Sequence, residues 1–474
     1  MKEIVIGFLG CGNVGGGVWE LLQGFAPEIA HRDQLSIRVK KVLVRNVNKA
    51  RSCSVSPSLL TTDPEEVLCD PEISLVAEFM GGEQPATEYM LRALQNGKTV
   101  VTANKVAVAL NWHKLQAAAQ ANHVGLYYEA SVCGAIPIIN ALMSPLQANR
   151  ITKLMGIING TTNYILSRMS AQGESYDTVL KDAQKLGLAE PDPSSDVEGL
   201  DAAYKLSIMA SLAFHARVPF KAVYREGITR ITAMDIACGK EMGYVLKLLA
   251  IAKRDGNTIE VRLHPTFLPQ NHPLSSVNGS FNAVYLHGHA CQEMMLQGRG
   301  AGDMPTASAV VGDILHAAMV DVHVHPTFAN QAEPAKELTF TNNWTTKYYI
   351  RVSATDAPGV LSAVAGLLCQ GECLHRFHDA KGFRGGWPCS PGLYYPRCVG
   401  AVHAGRPGEH ESRRVPFGKH DPGGGLNRLH LLFLAACISY FSASPCAHHA
   451  QATYHVFYRN ILRGLPPSGS SPLV

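Results

Sequence analysis

Apolar and polar positions change period several times along the chain, and each change predicts an element. Residues 3–9 alternate like a strand and run through glycines into a helix-like stretch, "GCGNVGGGVWELL". A second strand is expected in "SIRVKKVLVRN" (36–46) and a buried one in "ISLVAEFMGG" (73–82). "GKTVVTANKVAVAL" (97–110) predicts a strand and then a helix opening at Asn104-Lys105. "VGLYYEASVCGAIPII" (124–139) predicts another strand, leading into Glu129 and a glycine turn. Strands alternating with helices predict a doubly wound, Rossmann-like parallel sheet, here over residues 1–135.

After about residue 149 the pattern changes. "NGTTN" (159–163) lies between a strand and a helix, and Thr161 or Thr162 reads as an N-cap. Helices are expected around 175–186 and 196–214, the second amphipathic through Leu200, Ala203, Tyr204, Leu206 and Ile208. Strand-like stretches at 244–252, 258–264, 281–287 and 289–297 predict a mixed sheet, so 136–302 is expected to be an α+β domain. "QGRGAGDMPTASAVVGDILHAAM" (297–319) predicts a glycine turn and a small-residue helix, which is expected to complete the first domain over about 303–325. "TKYYIRVSATDAPGVLSAVAGLL" (346–368) predicts a strand, a D-x-P-G turn and a helix, the opening of a small regulatory βαβ unit. The strands that should complete it do not follow.

Composition narrows the class. With 474 residues, 46% apolar and 17% charged, the chain can bury two or three domain cores. A net charge of +4 gives no footprint for nucleic acid or a membrane surface. The longest apolar run, near 429–441, is shorter than the roughly 20 residues a bilayer needs. No signal peptide opens the chain and the 12 cysteines are scattered, so reduced thiols and a cytoplasmic location are expected. Residues 371–474 carry 11 Lys+Arg against 5 Asp+Glu, which sets them apart from the first 370. They also hold 9 of the 20 histidines, and this is the clearest compositional boundary in the chain.

Candidate chemistry begins at Gly10, Gly12 and Gly15. This G-x-G-x-x-G, placed between a strand and a helix, suits a pyrophosphate cradled at a helix N-terminus. The second strand ends on Val44-Arg45-Asn46 rather than on an acid, and Arg45 suits a 2′-phosphate. Lys105, a cation at a helix start, opposes the helix dipole and therefore reads as ligand-facing. "AEPDPSSDVEGLDAAYK" (189–205) gathers Glu190, Asp192, Asp196, Glu198 and Asp201 ahead of Lys205. Asp201 and Lys205 share a helix face; carboxylates could hold a substrate ammonium while the lysine serves a hydroxyl. The pairs His287/His289, His323/His325 and His448/His449, and Cys369 with Cys373, lack the spacing of a zinc site. Hydrolase and P-loop signatures are absent.

"AQKLGLAEPDPSSDVEGLDAAYK" (183–205) resembles the signature of homoserine dehydrogenases along its whole length. "NGTTNYIL", "TANK", "EASVCGAIPII" and the glycine loop match that family in its order, over roughly residues 1–345. The resemblance implies NAD(P)-dependent interconversion of L-homoserine and L-aspartate 4-semialdehyde, in threonine and methionine synthesis. It implies a dinucleotide domain, a catalytic and dimerisation domain, a homodimer, and a C-terminal ACT domain in many members. Lys205 would donate and accept the proton, and Lys105 would polarise the same oxygen beside the nicotinamide. Glu190 and Asp201 would bind the substrate's ammonium and hydroxyl ends, with Asp196 and Thr162 in the same set. Gly10, Gly12, Asn13, Val14, Gly15, Arg45, Gly81, Lys105, Gly187, Glu190 and Gly302 are the expected cofactor-binding residues. NADP is favoured through Arg45, with NAD use possible. A sodium ion would sit on Glu129 and backbone groups of Val132, Gly134 and Ile136, where Cys133 and Ala135 depart from the family pattern. Lys105 and burial would lower the Lys205 pKa while Asp201 opposes them, so the sequence leaves the net direction open.

The ACT resemblance runs through "DAPGVLSAVAGLL" and stops near Gln370, leaving an incomplete unit over 346–370. Residues 371–474 read as translation in another reading frame or as a novel extension, and are expected to be disordered and dispensable, without threonine feedback. Proteolysis is expected to remove the chain beyond about 345 and leave an active core. Rival readings are a related amino-acid or semialdehyde dehydrogenase, and a non-catalytic NADP-binding protein.

Overall fold

The computed structural model describes residues 1–51, 53–344, 346–355, 374–382, 401–403, 428–440 and 453–459. Two compact units divide the chain. The first comprises Met1–Ala233, Lys247–His264 and Asn271–Thr341, and the second comprises Met234–Leu246, Pro265–Gln270 and the chain from Asn342 onward.

The first unit opens with β1 (Lys2–Leu9), α1 (Asn13–Gly24), α2 (Ala26–Asp33), β2 (Leu35–Leu43), β3 (Leu60–Thr61) and α3 (Glu65–Leu68). It continues with β4 (Leu75–Glu78), α4 (Ala86–Gln95), β5 (Thr99–Thr102), α5 (Lys105–Ala121) and β6 (Leu126–Tyr127). The six strands are parallel in the order β3-β2-β1-β4-β5-β6, a doubly wound sheet whose direction reverses beside β1. Six of the eight positions in β1 are buried in sequence, because helices cover both faces of a parallel sheet. β2 ends at Leu43, so Arg45 lies just beyond the strand.

Next come α6 (Ile138–Met143), β7 (Ile151–Ile157), α7 (Gly160–Gln172), α8 (Tyr176–Lys185), α9 (Ser194–Val197), α10 (Leu200–Phe214), β8 (Tyr224–Arg225) and α11 (Ala233–Glu241). They are followed by β9 (Tyr244–Asp255), β10 (Thr258–Pro269), β11 (Phe281–Gly288), β12 (Gln292–Arg299), α12 (Asp303–Met319) and β13 (Thr339–Phe340). The second sheet runs β12-β11-β7-β9-β10-β13, with β8 paired to β10, and it is mixed in direction. α12 packs on α1, where Gly17 is needed: a Cβ there would lie 3.1 Å from Ala307 Cβ and from Asp303 O. Val310 and Ile314 of α12 are fully buried in the same core as Ile6 and Phe8.

Two helix expectations need correction. The helix over 196–214 is broken at Gly199, whose φ of +80° starts α10 afresh and leaves α9 as a single turn. α10 is not amphipathic. Ala202, Ser207, Met209, Ala210, Ser211 and Leu212 are buried along with its apolar stripe, as befits a central helix built of small residues.

In the second unit, β14 (Thr346–Thr355) carries the buried Tyr349 and Arg351. Tyr349 meets Phe267 edge-on, with ring centroids 5.2 Å apart. Asp235 on α11 is fully buried, 2.8 Å from Arg351 Nε, and accepts from the Tyr349 hydroxyl at 3.2 Å. The turn and helix expected after this strand lie outside the described residues. Of 371–474, the described segments are β15 (Leu374–Gly382), β16 (Ala401–His403), β17 (Arg428–Tyr440) and β18 (Thr453–Arg459). They join β14 in the order β15-β17-β14-β18, with β16 on β17. Most of the stretch expected to be disordered lies outside the described residues.

Cutting at residue 345 would remove Arg351 and with it an ion pair of the buried Asp235. Arg351→Ala should therefore cost about 3–5 kcal/mol in urea unfolding, the range for breaking one side of a buried pair. A loss below about 1 kcal/mol would show a solvated pair.

Candidate active site

The site is assembled where β7 gives way to α7 and where α10 begins. Asn159 caps α7, accepting the Thr162 amide at 2.9 Å. Thr162 is therefore three residues inside the cap, and its buried hydroxyl donates back to Asn159 Oδ1 at 2.9 Å. The capping threonine expected from sequence is replaced by an asparagine, whose side chain both accepts and donates. Asn159 Nδ2 donates to Asp196 Oδ1 at 2.7 Å and to Asp201 Oδ2 at 3.0 Å. One amide thus ties the α9 turn to the first turn of α10.

Asp201 is the hub. Lys205, one turn along α10, places Nζ 2.7 Å from its Oδ2, and Lys105, at the start of α5, places Nζ 2.8 Å from its Oδ1. Lys205 Nζ also donates to the Ile158 carbonyl at 3.2 Å. The side chains of Asp201 and Lys205 are 6% and 10% exposed and that of Lys105 is 36%, so the cluster opens to solvent at Lys105. Burial alone would raise the Asp201 pKa; the two lysines outweigh it and hold the carboxyl well below its ordinary range. Burial alone would lower the Lys205 ammonium, and Asp201 outweighs that too, leaving it raised. Asp196 goes the other way, raised by burial and by the charge on Asp201. The carboxylates of 189–205 therefore divide. Asp201 and Asp196 are wired in, Asp192 accepts the Ser194 amide at 3.1 Å in its own turn, and Glu190 and Glu198 are exposed. The Glu190 carboxylate has no hydrogen bond among the described residues.

Lys105 is aimed by its neighbour. Asn104 caps α5 through the Ala107 amide and donates to Gly82 O at 2.7 Å, which joins the ends of β5 and β4. Beneath lies Glu78, fully buried and raised by that burial, accepting Thr102 Oγ1 and the Met80 amide at 2.6 Å each. Sequence reasoning missed Glu78 and Asn159; an acid at a strand's carboxyl end and an asparagine opening a helix were the available signals.

The β1–α1 turn is shaped for a dinucleotide. Gly10 has φ +100°, and a Cβ would press on the Phe79 backbone at 3.2 Å. A Cβ on Gly15 would lie 3.1 Å from Gly10 O, so this glycine brings helix close to strand. Gly12 faces open space, with nothing within 4 Å of a built Cβ. That is the face a pyrophosphate needs, and Asn13 and Val14 follow in the first turn of α1. Arg45 is exposed, while Arg51 is spent on the carbonyls of Asn46, Val47 and Lys49. Gly81, Gly187 and Gly302 all have positive φ, at +70°, +71° and +116°.

Glu129 lies after β6, with carboxylate oxygens accepting the amides of Ile139 (2.8 Å) and Asn140 (2.6 Å). Its own amide donates to Asp313 Oδ2 at 2.9 Å. Burial pushes Glu129 up to about 7 and Asp313 well above its ordinary value. Among the described residues no lysine or arginine forms an ion pair with either, and the contact between the two residues is through the Glu129 backbone amide. Nearby, Gly134 has φ +52°, and a Cβ would stand 2.9 Å from Arg299 O. The Ile136 carbonyl already accepts the Ile138 amide at 2.7 Å. Carboxylate and carbonyl oxygens are the ligand type that hard cations take. Among the described residues no group of three His, Cys, Asp or Glu side chains could hold a metal.

The family models for "Homoserine dehydrogenase, NAD binding domain" and "Homoserine dehydrogenase" match residues 10–129 and 137–315. A homoserine dehydrogenase of Bacillus subtilis is 42% identical over 372 residues, 78% of this chain and 86% of its own. That of Corynebacterium glutamicum is 42% identical over 379 residues, 78% and 84%. The crystal structure of a homoserine dehydrogenase from Thiobacillus denitrificans superposes with a TM-score of 0.77 at 35% identity, covering 97% of this chain and 99% of that one. The chain belongs to the homoserine dehydrogenase family, oxidoreductases that act on a CH–OH donor with a nicotinamide dinucleotide.

Proposed function

We propose that the chain interconverts L-homoserine and L-aspartate 4-semialdehyde, with NADP favoured over NAD and Lys205 handling the proton. The observation that carries this reading is the Asp201 carboxylate, shared between Lys105 and Lys205 at the mouth of a buried cluster. Nicotinamide, when bound, supplies the hydride donor or acceptor. Lys205, held protonated by Asp201, is ready to donate to the carbonyl oxygen of the semialdehyde during reduction. Lys105, the more exposed lysine, polarises the same oxygen. Glu190, whose carboxylate has no partner among the described residues, takes the substrate ammonium, and Asp201 releases one lysine contact to receive the hydroxyl end. Asp196 and Thr162 position Asn159 and so hold Asp201 in place. Gly10, Gly12, Asn13, Val14, Gly15, Gly81, Gly187 and Gly302 line the cofactor, with Arg45 on the 2′-phosphate.

A sodium ion on Glu129 and the carbonyls of Val132, Gly134 and Ile136 belongs to the same reading, supported by the buried Glu129 carboxylate, which has no lysine or arginine partner among the described residues. So does a homodimer through the mixed sheet, whose edge strand β12 is half exposed. The free thiols suit a cytoplasmic setting. No helix among the described residues is long and apolar enough to cross a membrane.

Lys205→Ala should lower kcat by about 10²–10⁴-fold, the usual contribution of general acid–base catalysis, while NADPH still binds. A variant with near-normal kcat would remove Lys205 from the reaction.

The raised pKa of Lys205 fixes the pH dependence. The ammonium form is populated below its folded pKa, so kcat/KM for semialdehyde reduction should hold at neutral pH and fall as pH rises through that value. Homoserine oxidation needs the neutral amine and should accelerate over the same rise. Parallel profiles in both directions would contradict the assignment.

Arg45→Ala should raise KM for NADPH more than for NADH in steady-state assays. Equal changes would make the arginine a surface residue.

A further inference from the structure

Cys11 and Cys53 approach each other across the dinucleotide crevice, with Sγ atoms 3.6 Å apart. Cys11 stands between Gly10 and Gly12 in the β1–α1 turn, and Cys53 lies in the segment after β2, beyond Arg45 and Arg51. Both are free, half-buried thiols, and both pack against the core of the dinucleotide domain. A disulfide needs its sulfurs about 2.05 Å apart, so closure requires a shift of roughly 1.5 Å. Side-chain rotation and a small movement of one segment can supply that.

We propose that Cys11 and Cys53 are a redox-modification site, in which a peroxide drives a disulfide that pins the two walls of the crevice together and weakens dinucleotide binding. This consequence rests on the reading of the crevice as the cofactor site. The turn carrying Cys11 is packed closely on the Phe79 backbone, 3.2 Å from where a Gly10 Cβ would lie. Closure brings the segment carrying Cys53 toward that turn, on the side of the crevice that Arg45 borders.

Burial pushes the Cys11 thiol up to about 12, the neighbouring Cys53 adds to this, and Arg51 opposes it. The Cys11 thiolate is disfavoured, and Cys53 meets the oxidant. The Cys53 thiol gives up its proton as its sulfur attacks hydrogen peroxide; the O–O bond breaks, a sulfenic acid forms, and the leaving hydroxide takes that proton and departs as the first water. The Cys11 sulfur then attacks the sulfenic sulfur. The S–S bond forms, the S–O bond breaks, and the oxygen departs with the Cys11 proton as a second water. Two thiols lose two electrons and two protons, and one peroxide gains both.

The test treats the full chain with hydrogen peroxide, with and without bound NADPH. Unreduced peptide mapping and NADPH titration by fluorescence follow. The expected result is a Cys11–Cys53 cross-linked peptide, formed more slowly when NADPH is bound. The NADPH Kd should rise severalfold on oxidation and return with dithiothreitol. Cys53→Ser should keep its basal activity and show no peroxide-induced change in Kd. Oxidation of the exposed Cys69 without a Cys11–Cys53 peptide would overturn the site. A cross-link with unchanged Kd would overturn its consequence. Failure of the reduced chain to bind NADPH would overturn the cofactor reading and this consequence with it, whereas the cross-link is scored by mass alone.

Discussion

The shared carboxylate of Asp201 is the constraint on which the site depends. Two lysines from different helices cannot approach one substrate oxygen unless their mutual repulsion is relieved, and Asp201 lies within 2.8 Å of both. Its burial makes each contact stronger than it would be in water. The same burial makes the arrangement demanding: a carboxylate this enclosed must be fully partnered. Asn159 supplies the remaining donor, which explains why the helix cap there is an asparagine and not a threonine. Gly199 is part of the same constraint. Its left-handed φ of +80° starts α10 where Asp201 falls in the first turn, close to the α7 cap.

The cofactor crevice follows a different logic, that of backbone approach. Gly10, Gly12 and Gly15 have three separate tasks: a turn conformation, an open face, and close packing of a helix on a strand. The ends of β4 and β5 are joined through Glu78, Thr102 and Asn104, so the loop holding Gly81 and the lysine at the start of α5 are set by one buried network. That network places the Gly81 loop and Lys105 at the same carboxyl edge of the parallel sheet.

Much of this was legible in the sequence because the relevant signals are local. Alternating strands and the glycine spacing predicted the parallel sheet, and the four-residue spacing of Asp201 and Lys205 predicted their contact. The Lys105–Asp201 contact joins positions 96 residues apart, and no periodicity encodes it. The direction of the Lys205 pKa was equally hidden, since burial and Asp201 oppose each other and only the distances decide between them. α10 was misread because small residues such as Ala202, Ser207 and Ala210 look like a polar or neutral face until a second layer is seen to cover them. The Asp235–Arg351 pair was missed for the reason that hid Lys105–Asp201: its two charges belong to elements far apart in the chain.

The central claim is that Asp201 sets the protonation of Lys205. Direct titration of lysine Nζ signals by heteronuclear NMR, in the unaltered chain and in Asp201→Asn, tests it without reference to turnover. The account predicts a Lys205 pKa above the ordinary 10.5 in the unaltered chain and a lower one in the variant, where the carboxylate that outweighs burial is gone. The same Lys205 pKa in both chains would contradict it.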